Sequence, residues 1–203
     1  MMYNQKGFSL LELIVVVAVV AVVTGIVIPV YFSMKPTIRV NGAARQIQGD
    51  FMWARMRAVS ENNDYVIAFG EPNKILTNNT YYIYDDDDGD FNTAGTETGE
   101  LVKTIVIPND YEAVGYGYIS GIKETDNSTN LSGDAVTFNS GSATKPIWFS
   151  FRPTGRPNIL GSIYLILDED LTNNRKDRMR AITISTAGRV KIWNYNAVTD
   201  KWD

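Results

Sequence analysis

Residues Phe8 to Ile28 read FSLLELIVVVAVVAVVTGIVI, which is the most apolar segment of the chain. A helix that crosses the hydrocarbon core of a bilayer needs about 20 predominantly apolar residues. This segment has that length, and its exceptions are Ser9, Glu12, Thr24 and Gly25. No comparable apolar run follows in the 203-residue sequence. The sequence therefore predicts one membrane-spanning helix near its N-terminus.

Glu12 limits how this segment can be interpreted. A cleavable secretory signal has a shorter apolar region, so the length argues against it. A plain signal anchor explains the length but not the carboxylate. An acidic side chain costs about 2.5–3.5 kcal/mol at the centre of a membrane helix, and less near the interface. Because ionisable residues in such segments are usually functional, Glu12 indicates a role beyond anchoring.

The sequence KGFSLLEL at residues 6–13 resembles the processing site of type IV prepilins and type II secretion pseudopilins. The resemblance implies that a prepilin peptidase removes residues 1–7 as a leader, cutting after Gly7, and methylates the new N-terminus at Phe8. It also implies that Glu12 meets the Phe8 amine of a neighbouring subunit during assembly. A buried pair of opposite charges is a good device for fixing register, although it adds little stability.

The same resemblance implies a location and a set of partners. Residues 8–34 would form a single-pass helix in the bacterial inner membrane, contacting lipid first and the filament core after assembly. The head would be periplasmic or extracellular. The expected partners are other pilin or pseudopilin subunits, the prepilin peptidase and the inner-membrane assembly platform. Pro29 matches a pilin proline and is predicted to kink or locally melt the helix, and Pro36 is predicted to break it again.

Residues 37–203 are predicted to be a head of α+β class. Apolar residues from Ala44 to Ala58 recur at spacings of three and four, which is typical of an amphipathic helix packed on a sheet. Together with the apolar segment this gives one long N-terminal helix, half transmembrane and half amphipathic, on an antiparallel β-rich head, as in the pilin fold. Residues 123–144 are predicted to be a loosely ordered loop. Short runs rich in β-branched and aromatic residues predict eight strands: Tyr65–Phe69, Tyr81–Tyr84, Val102–Ile107, Val136–Phe138, Ile147–Phe151, Ile163–Leu167, Ala181–Ser185 and Val190–Trp193.

Two later stretches, FRPTGR at 151–156 and ITISTAGRV at 182–190, resemble the paired signature of the GspH/FimT branch of this family. The helix around Ala43-Ala44 and Ala54-Arg55 is also similar to that branch. The resemblance implies a minor pilin or pseudopilin of a type IV pilus or type II secretion pseudopilus. A simpler interpretation of each Gly-Arg pair is a hairpin turn, with glycine at positive φ and arginine opening the next strand.

The composition argues against catalysis. The chain has no Cys and no His, which excludes thiol nucleophiles, disulfides, thiolate metal sites and the usual general base near neutral pH. Its formal charge of −4 gives no general attraction to nucleic acid or anionic lipid. We therefore expect a structural protein and not an enzyme.

An acidic stretch, DDDDGD at residues 85–90, is a candidate calcium site. Clustered carboxylates beside a turn glycine suit a hard cation, and the spacing favours Asp86, Asp88, Asp90 and Glu97 as ligands. The sixth position of an EF-hand loop would be Phe91 instead of glycine, which excludes that motif. A solvated acidic turn without a cofactor is the alternative.

Basic residues near the C-terminus are a candidate DNA-binding surface. Some minor pilins of the branch bind DNA for natural transformation through a Gly-Arg-x-Arg element, which here ends in lysine. Lysine still contacts phosphate as a point charge, and a tryptophan can stack on a base. The alternative is a solvated basic loop that balances nearby acidic residues. The candidate DNA-binding residues are Arg178, Arg180, Arg189, Lys191 and Trp193.

Overall fold

The structure, a computed structural model, describes residues 9–70, 79–89, 100–138 and 147–203. Contacts divide the chain into two compact units, Met1–Pro36 and Thr37–Asp203. Helix α1 spans Leu10–Glu61 and so contributes residues to both units.

In the first unit, α1 starts with a side-chain cap. The backbone N–H of Leu11 donates to Ser9 Oγ at 3.3 Å, which satisfies one of the free donors of the first turn. The helix continues through Pro29 and Pro36. The predicted break at Pro36 is therefore wrong, whereas a loss of helicity at Pro29 is expected during assembly and stays a prediction. Each proline removes a single backbone donor, and the hydrogen bonds of the neighbouring residues keep the helix continuous.

The second unit contains the rest of α1, two short helices and nine strands among the described residues. Helix α2 is Ile107–Asp110 and α3 is Asp168–Thr172. The strands are β1 (Asp64–Phe69), β2 (Thr80–Asp86), β3 (Leu101–Val106), β4 (Val114–Tyr116), β5 (Ile147–Phe151), β6 (Ser162–Leu167), β7 (Arg180–Ile184), β8 (Val190–Asn196) and β9 (Lys201–Trp202).

The strands form two antiparallel sheets. The order is β3-β2-β1-β5 in the first sheet and β4-β6-β7-β8-β9 in the second. All the strand pairs are antiparallel, with Ile67 opposite Ile83 and Phe149 in the first sheet and Ile182 opposite Ile163 and Ile192 in the second. The predicted α+β class, one long helix with an antiparallel β-rich head, is confirmed.

The core of the second unit lies where α1 meets both sheets. The predicted apolar face of the helix, from Ala44 to Ala58, is buried. Phe51 is at its centre, fully buried, with ring centroids of Phe69, Tyr81 and Phe149 at 5.1–6.4 Å. Aromatic pairs in edge-to-face contact at these distances add to the stabilisation from burial. The small residues between the large ones allow the helix to approach the sheets closely.

A buried polar contact also holds α1 against the first sheet. Asp50 is 7% exposed and accepts a hydrogen bond from Tyr81 Oη at 2.5 Å. Its other oxygen is paired with Lys103 Nζ from β3. Burial and the neighbouring carboxylate of Asp50 raise the pKa of Tyr81 well above its ordinary value, so the phenol remains a donor.

The outer face of the second sheet is covered by residues 117–138 and by the C-terminal strand. Trp202 donates from its backbone N–H to Asn127 Oδ1 at 2.9 Å and from Nε1 to the Lys123 carbonyl at 2.8 Å. Ile122 and Leu131 are buried beneath them. The prediction of a loosely ordered loop is therefore wrong for residues 123–138, because Leu131, Ala135 and Phe138 of this stretch are buried in the core. Residues 139–144 lie outside the described residues.

Three short elements differ from the sequence prediction. Val136–Phe138 is not a strand, because Val136 forms only an isolated bridge to Ile163 and β4 pairs with the rest of that edge of β6. Strands β4 and β9 were not predicted, since three and two residues are too few to show alternation.

Candidate assembly segment and charged sites

The first unit presents an apolar helix without a core of its own. Every large apolar side chain from Leu10 to Met34 is between 48% and 75% exposed. The helix that contains this segment is long and apolar enough to cross a membrane by length and composition. A helix that is apolar on all sides requires an apolar environment on all sides, from lipid or from other helices.

The residues predicted for processing and assembly lie at the start of this helix. Gly7 and Phe8 are outside the described residues. Glu12 is exposed in the first turn of α1, three residues after the Ser9 cap. A carboxylate is favoured there by the partial positive charge of a helix N-terminus. Pro29 is also exposed within the helix.

The acidic stretch forms a carboxylate cluster with a different membership from the one predicted. Ligand atoms of Asp87, Asp88 and Glu100 lie within 4.8 Å of one another. Asp86 is not in the group, because it still belongs to β2 and is buried. Asp90 and Glu97 lie outside the described residues. The spacing rule missed Glu100 because it is brought back to the cluster by the start of β3.

Glu100 is the most perturbed carboxyl of this cluster. Burial, a hydrogen bond with Asp87 and the charges of Asp87, Asp88 and Asp86 raise its pKa from 4.5 to about 7. The Oε2 atom of Glu100 is buried and has no hydrogen-bond partner among the residues that the structure describes. A group of carboxylates that hold a proton near neutral pH can exchange that proton for a cation.

The structure separates the predicted basic residues into buried and exposed ones. Arg178 is buried and donates to Glu169 Oε1 at 2.8 Å, with Asp170 Oδ1 at 3.6 Å. Arg180 is buried as well and donates to Asn41 Oδ1 at 2.6 Å.

The other basic residues lie on β8 or beside it. Lys191 Nζ sits 3.0 Å from the ring centroid of Trp193, in a cation–π contact. Trp193 itself donates from Nε1 to Thr183 Oγ1 at 2.8 Å. Arg189 is exposed and has no ion pair or hydrogen bond from its side chain within the described residues. The five residues therefore do not form one free basic surface.

The two Gly-Arg stretches meet at one place, which the sequence did not predict. Each forms a tight turn, closed by the Gly155 N–H to the Arg152 carbonyl at 2.7 Å and by the Gly188 N–H to the Ser185 carbonyl at 2.8 Å. Both glycines have positive φ, +72° and +76°, as predicted. Arg189 precedes β8 as expected, whereas Arg156 is six residues before β6 and does not open it.

Arg55 of α1 connects these two turns. Its Nε donates to the Gly155 carbonyl at 2.8 Å, and its Nη2 donates to the Ala187 carbonyl at 3.0 Å. The turns are so close that a Cβ on Gly188 would lie 2.1 Å from the Gly155 oxygen. A single guanidinium thus holds two turns that are more than 30 residues apart in the sequence. We call this arrangement of Arg55, Gly155 and Gly188 the turn clasp.

Comparison with known proteins places the chain in a family. The model of the family described as type II transport protein GspH matches residues 43–188. The model of the prokaryotic N-terminal methylation motif matches residues 2–28. No curated protein sequence matches the chain.

Two solved structures are among those that resemble the fold. The type IV minor pilin FimU of Pseudomonas aeruginosa is 15% identical with a TM-score of 0.44, covering 75% of this chain and 90% of that one. The minor pseudopilin EpsH from the type 2 secretion system of Vibrio cholerae is 7% identical with a TM-score of 0.45, covering 77% and 97%. The family match spans well over half of the sequence and includes both glycines of the turn clasp. The chain therefore belongs to the GspH family of type II transport proteins.

Proposed function

We propose that the chain is a minor pilin or pseudopilin, a structural subunit of a type IV pilus or a type II secretion pseudopilus. It is made as a precursor, cut after Gly7 and methylated on the amine of Phe8. One observation carries this proposal: the methylation motif at residues 2–28 and the GspH match at 43–188 occur in the same chain. The family consists of structural subunits, and we assign the chain no catalytic activity.

The exposed apolar helix supports two successive environments for the subunit, first the membrane and then the filament. In the inner membrane, with the head on the periplasmic or extracellular side, lipid surrounds the helix. During assembly, helices of other pilin or pseudopilin subunits replace the lipid around it. The prepilin peptidase and an inner-membrane assembly platform act before and during that exchange. Since the new surroundings are as apolar as the old ones, close packing and polar pairs must favour the assembled state.

Glu12 is the polar group that such a pair requires. Its carboxylate is exposed in the first turn of α1, and cleavage after Gly7 creates an ammonium group nearby on Phe8 of each subunit. Pairing between one subunit's Glu12 and a neighbour's Phe8 amine neutralises both charges in an apolar filament core. It is satisfied at one axial position only, so it selects the register of the added subunit.

Mass spectrometry of the mature N-terminus tests the processing step. The full chain is produced in a bacterium with and without a prepilin peptidase. We expect the first sample to begin at Phe8 and to carry one methyl group, and the second to keep residues 1–7. Gly7→Val is the matched variant and should remain uncut. A chain cleaved at another position, or cut equally without the peptidase, would contradict the proposal.

Incorporation into filaments tests the role of Glu12 separately. Glu12→Gln keeps the size of the side chain and removes the charge, so we expect it to be processed normally but to be depleted from purified filaments. Glu124→Gln in the second unit, an exposed residue, is the control and should be incorporated like the unchanged chain. Normal incorporation of Glu12→Gln would mean that register is set by other contacts.

A DNA-binding minor pilin for natural transformation is the alternative function. It requires cations exposed enough to reach the phosphates of a duplex, and two of the four candidate arginine and lysine residues, Arg178 and Arg180, are buried. We therefore give precedence to the structural role. A gel-shift titration of residues 37–203 at several salt concentrations separates the two, because DNA binding weakens steeply with salt. A salt-sensitive shift that Arg189→Gln abolishes would favour DNA binding.

A further inference from the structure

A polar pocket of about 440 Å³ lies between α1 and the second sheet. Two arginines, two asparagines and one apolar residue line it, and no carboxylate is among them. Asn41 and Arg45 come from α1, Arg180 from β7, and Ile192 and Asn194 from β8. The lining therefore carries two positive charges and amide groups that can donate hydrogen bonds.

Arg180 is a buried cation with no paired anion in the described part of the chain. Only 7% of the residue is exposed. Its Nε donates to Asn41 Oδ1 at 2.6 Å and its Nη1 to the Met179 carbonyl at 2.8 Å, and both acceptors are neutral. No ion pair to Arg180 occurs within the described ranges, and burial lowers its pKa. Asp177, whose charge acts on Arg180, is already paired with Arg175 at 3.2 Å.

The energetic consequence is specific to this position. A buried charge is costly unless it is paired and hydrogen-bonded. The five N–H donors of a guanidinium exceed the two neutral acceptors that Arg180 has, so donors remain for a further acceptor. The pocket is where such an acceptor can be placed, because Arg180 forms part of its lining.

Arg45 adds a second charge from the open side of the pocket. It lies one helical turn after Asn41, so the two side chains share one face of α1. The residue is exposed, and its side chain has no ion pair or hydrogen bond among the residues that the structure describes. Two guanidiniums at one pocket repel each other unless an anion lies between them.

We propose that this pocket binds an oxyanion of the phosphate class, held by Arg180 from the buried side and by Arg45 from the open side. Guanidinium groups match phosphate oxygens with paired, charge-assisted hydrogen bonds. The amides of Asn41 and Asn194 complete the set of neutral groups around it. The phosphate is either free in solution or part of a lipid headgroup, and the chemistry of recognition is the same.

A thermal-unfolding comparison in two salts tests the site. The full chain in dodecyl maltoside micelles is measured in inorganic phosphate and in chloride at equal ionic strength and pH. We expect a higher Tm in phosphate, because a ligand that binds only the folded state stabilises it. Arg45→Gln is expected to weaken phosphate binding by about tenfold, as loss of one charge-assisted contact does. This variant changes an exposed side chain and leaves the buried Arg180 in place.

Arg156→Gln is the matched control, because Arg156 is equally an exposed arginine without a partner in the described part of the chain, and it is not among the residues that line this pocket. It should respond to phosphate like the unchanged protein. Equal Tm in phosphate and chloride for the unchanged protein would overturn the proposal. An equal loss of the phosphate effect in Arg45→Gln and Arg156→Gln would overturn it as well, since it would indicate general screening.

Nanodiscs distinguish the two sources of the phosphate. If the ligand is a lipid headgroup, the added-phosphate effect should disappear in phosphatidylglycerol nanodiscs and persist in phosphatidylcholine nanodiscs. If the ligand is free phosphate, the effect should be the same in both. In both cases the effect of phosphate on Tm should be weaker in Arg45→Gln. Neither result requires processing at Gly7 or filament assembly.

Discussion

Helix α1 contributes to two regions, and its large apolar side chains are exposed in the first, whereas those on its apolar face are buried in the second. Between Leu10 and Met34 the large apolar side chains are at least 48% exposed, whereas Ile47 and Phe51 of the same helix are fully buried. The difference follows from pattern and not from hydrophobicity. An uninterrupted apolar run has no polar face to turn toward water, while spacing of three and four gives one apolar stripe. The first region needs surroundings from other molecules, and the second finds them within its own chain.

Truncating one phenylalanine in each region should give the largest contrast. Phe51→Ala removes a fully buried ring and is expected to lower the free energy of unfolding by about 3–5 kcal/mol. Phe32→Ala makes the same change in the same helix at a residue that is 62% exposed, and should leave that free energy unchanged. All four tryptophans lie in the second unit, so fluorescence during denaturation in micelles reports on its unfolding. Equal losses in the two variants would refute the division into two regions.

The turn clasp adds a constraint on the backbone of the second region. Gly188→Ala would place a Cβ 2.1 Å from the Gly155 oxygen, at a φ of +76°. Gly121 has a similar φ of +83° with open space around it, so Gly121→Ala carries the conformational strain alone. We expect Gly188→Ala to be less stable than Gly121→Ala by about 1–3 kcal/mol, the usual cost of forcing atoms into a packed site. Urea unfolding measures both, and equal stabilities would show that the turns separate without cost.

The turn clasp also contains features that could be predicted from the sequence and a contact that could not. Local patterns predicted the apolar helix, its amphipathic continuation, most strands and the positive φ of Gly155 and Gly188. Each of these depends on residues close together in the chain. Contact between the two turns depends on tertiary packing, and Arg55 looked like any exposed arginine on a helix. The same limit explains why Asp50 was missed as a buried partner of Tyr81 and Lys103.

The charged sites were harder to predict than the core for a related reason. The periodic spacing of apolar residues predicts which of them are buried. The sequence around a charged side chain, in contrast, is the same whether that side chain is free or paired. Arg178 and Arg180 were grouped with Arg189 by proximity in the sequence. Packing then buried the first two and left the third exposed. Glu100 was overlooked because the residue that completes the acidic cluster follows a long intervening stretch.

A smaller effect is expected from pH at the acidic cluster. The folded pKa of Glu100 is about 7, above its ordinary 4.5, so between these values the folded chain holds a proton that the unfolded chain releases. Stability therefore falls as pH rises through this interval. Melting temperatures measured from about pH 4.5 to about pH 7 should show this fall, and Glu100→Gln should reduce it. Glu124→Gln, which changes an exposed carboxyl, should keep it. An unchanged slope in Glu100→Gln would assign the pH dependence to other groups.

Calcium should act on the same cluster with the opposite pH dependence. The predicted calcium site now rests on Asp87, Asp88 and Glu100, and a cation requires these groups deprotonated, so it competes with the proton. We expect calcium to raise the melting temperature above its value in chelator, by more above pH 7 than below it, and to offset the destabilisation that deprotonation causes. Magnesium at equal concentration should do less, because it dehydrates reluctantly. Identical melting curves with calcium and with chelator above pH 7 would leave the stretch as a solvated acidic turn, a surface feature of a region whose stability comes from Phe51 and its neighbours.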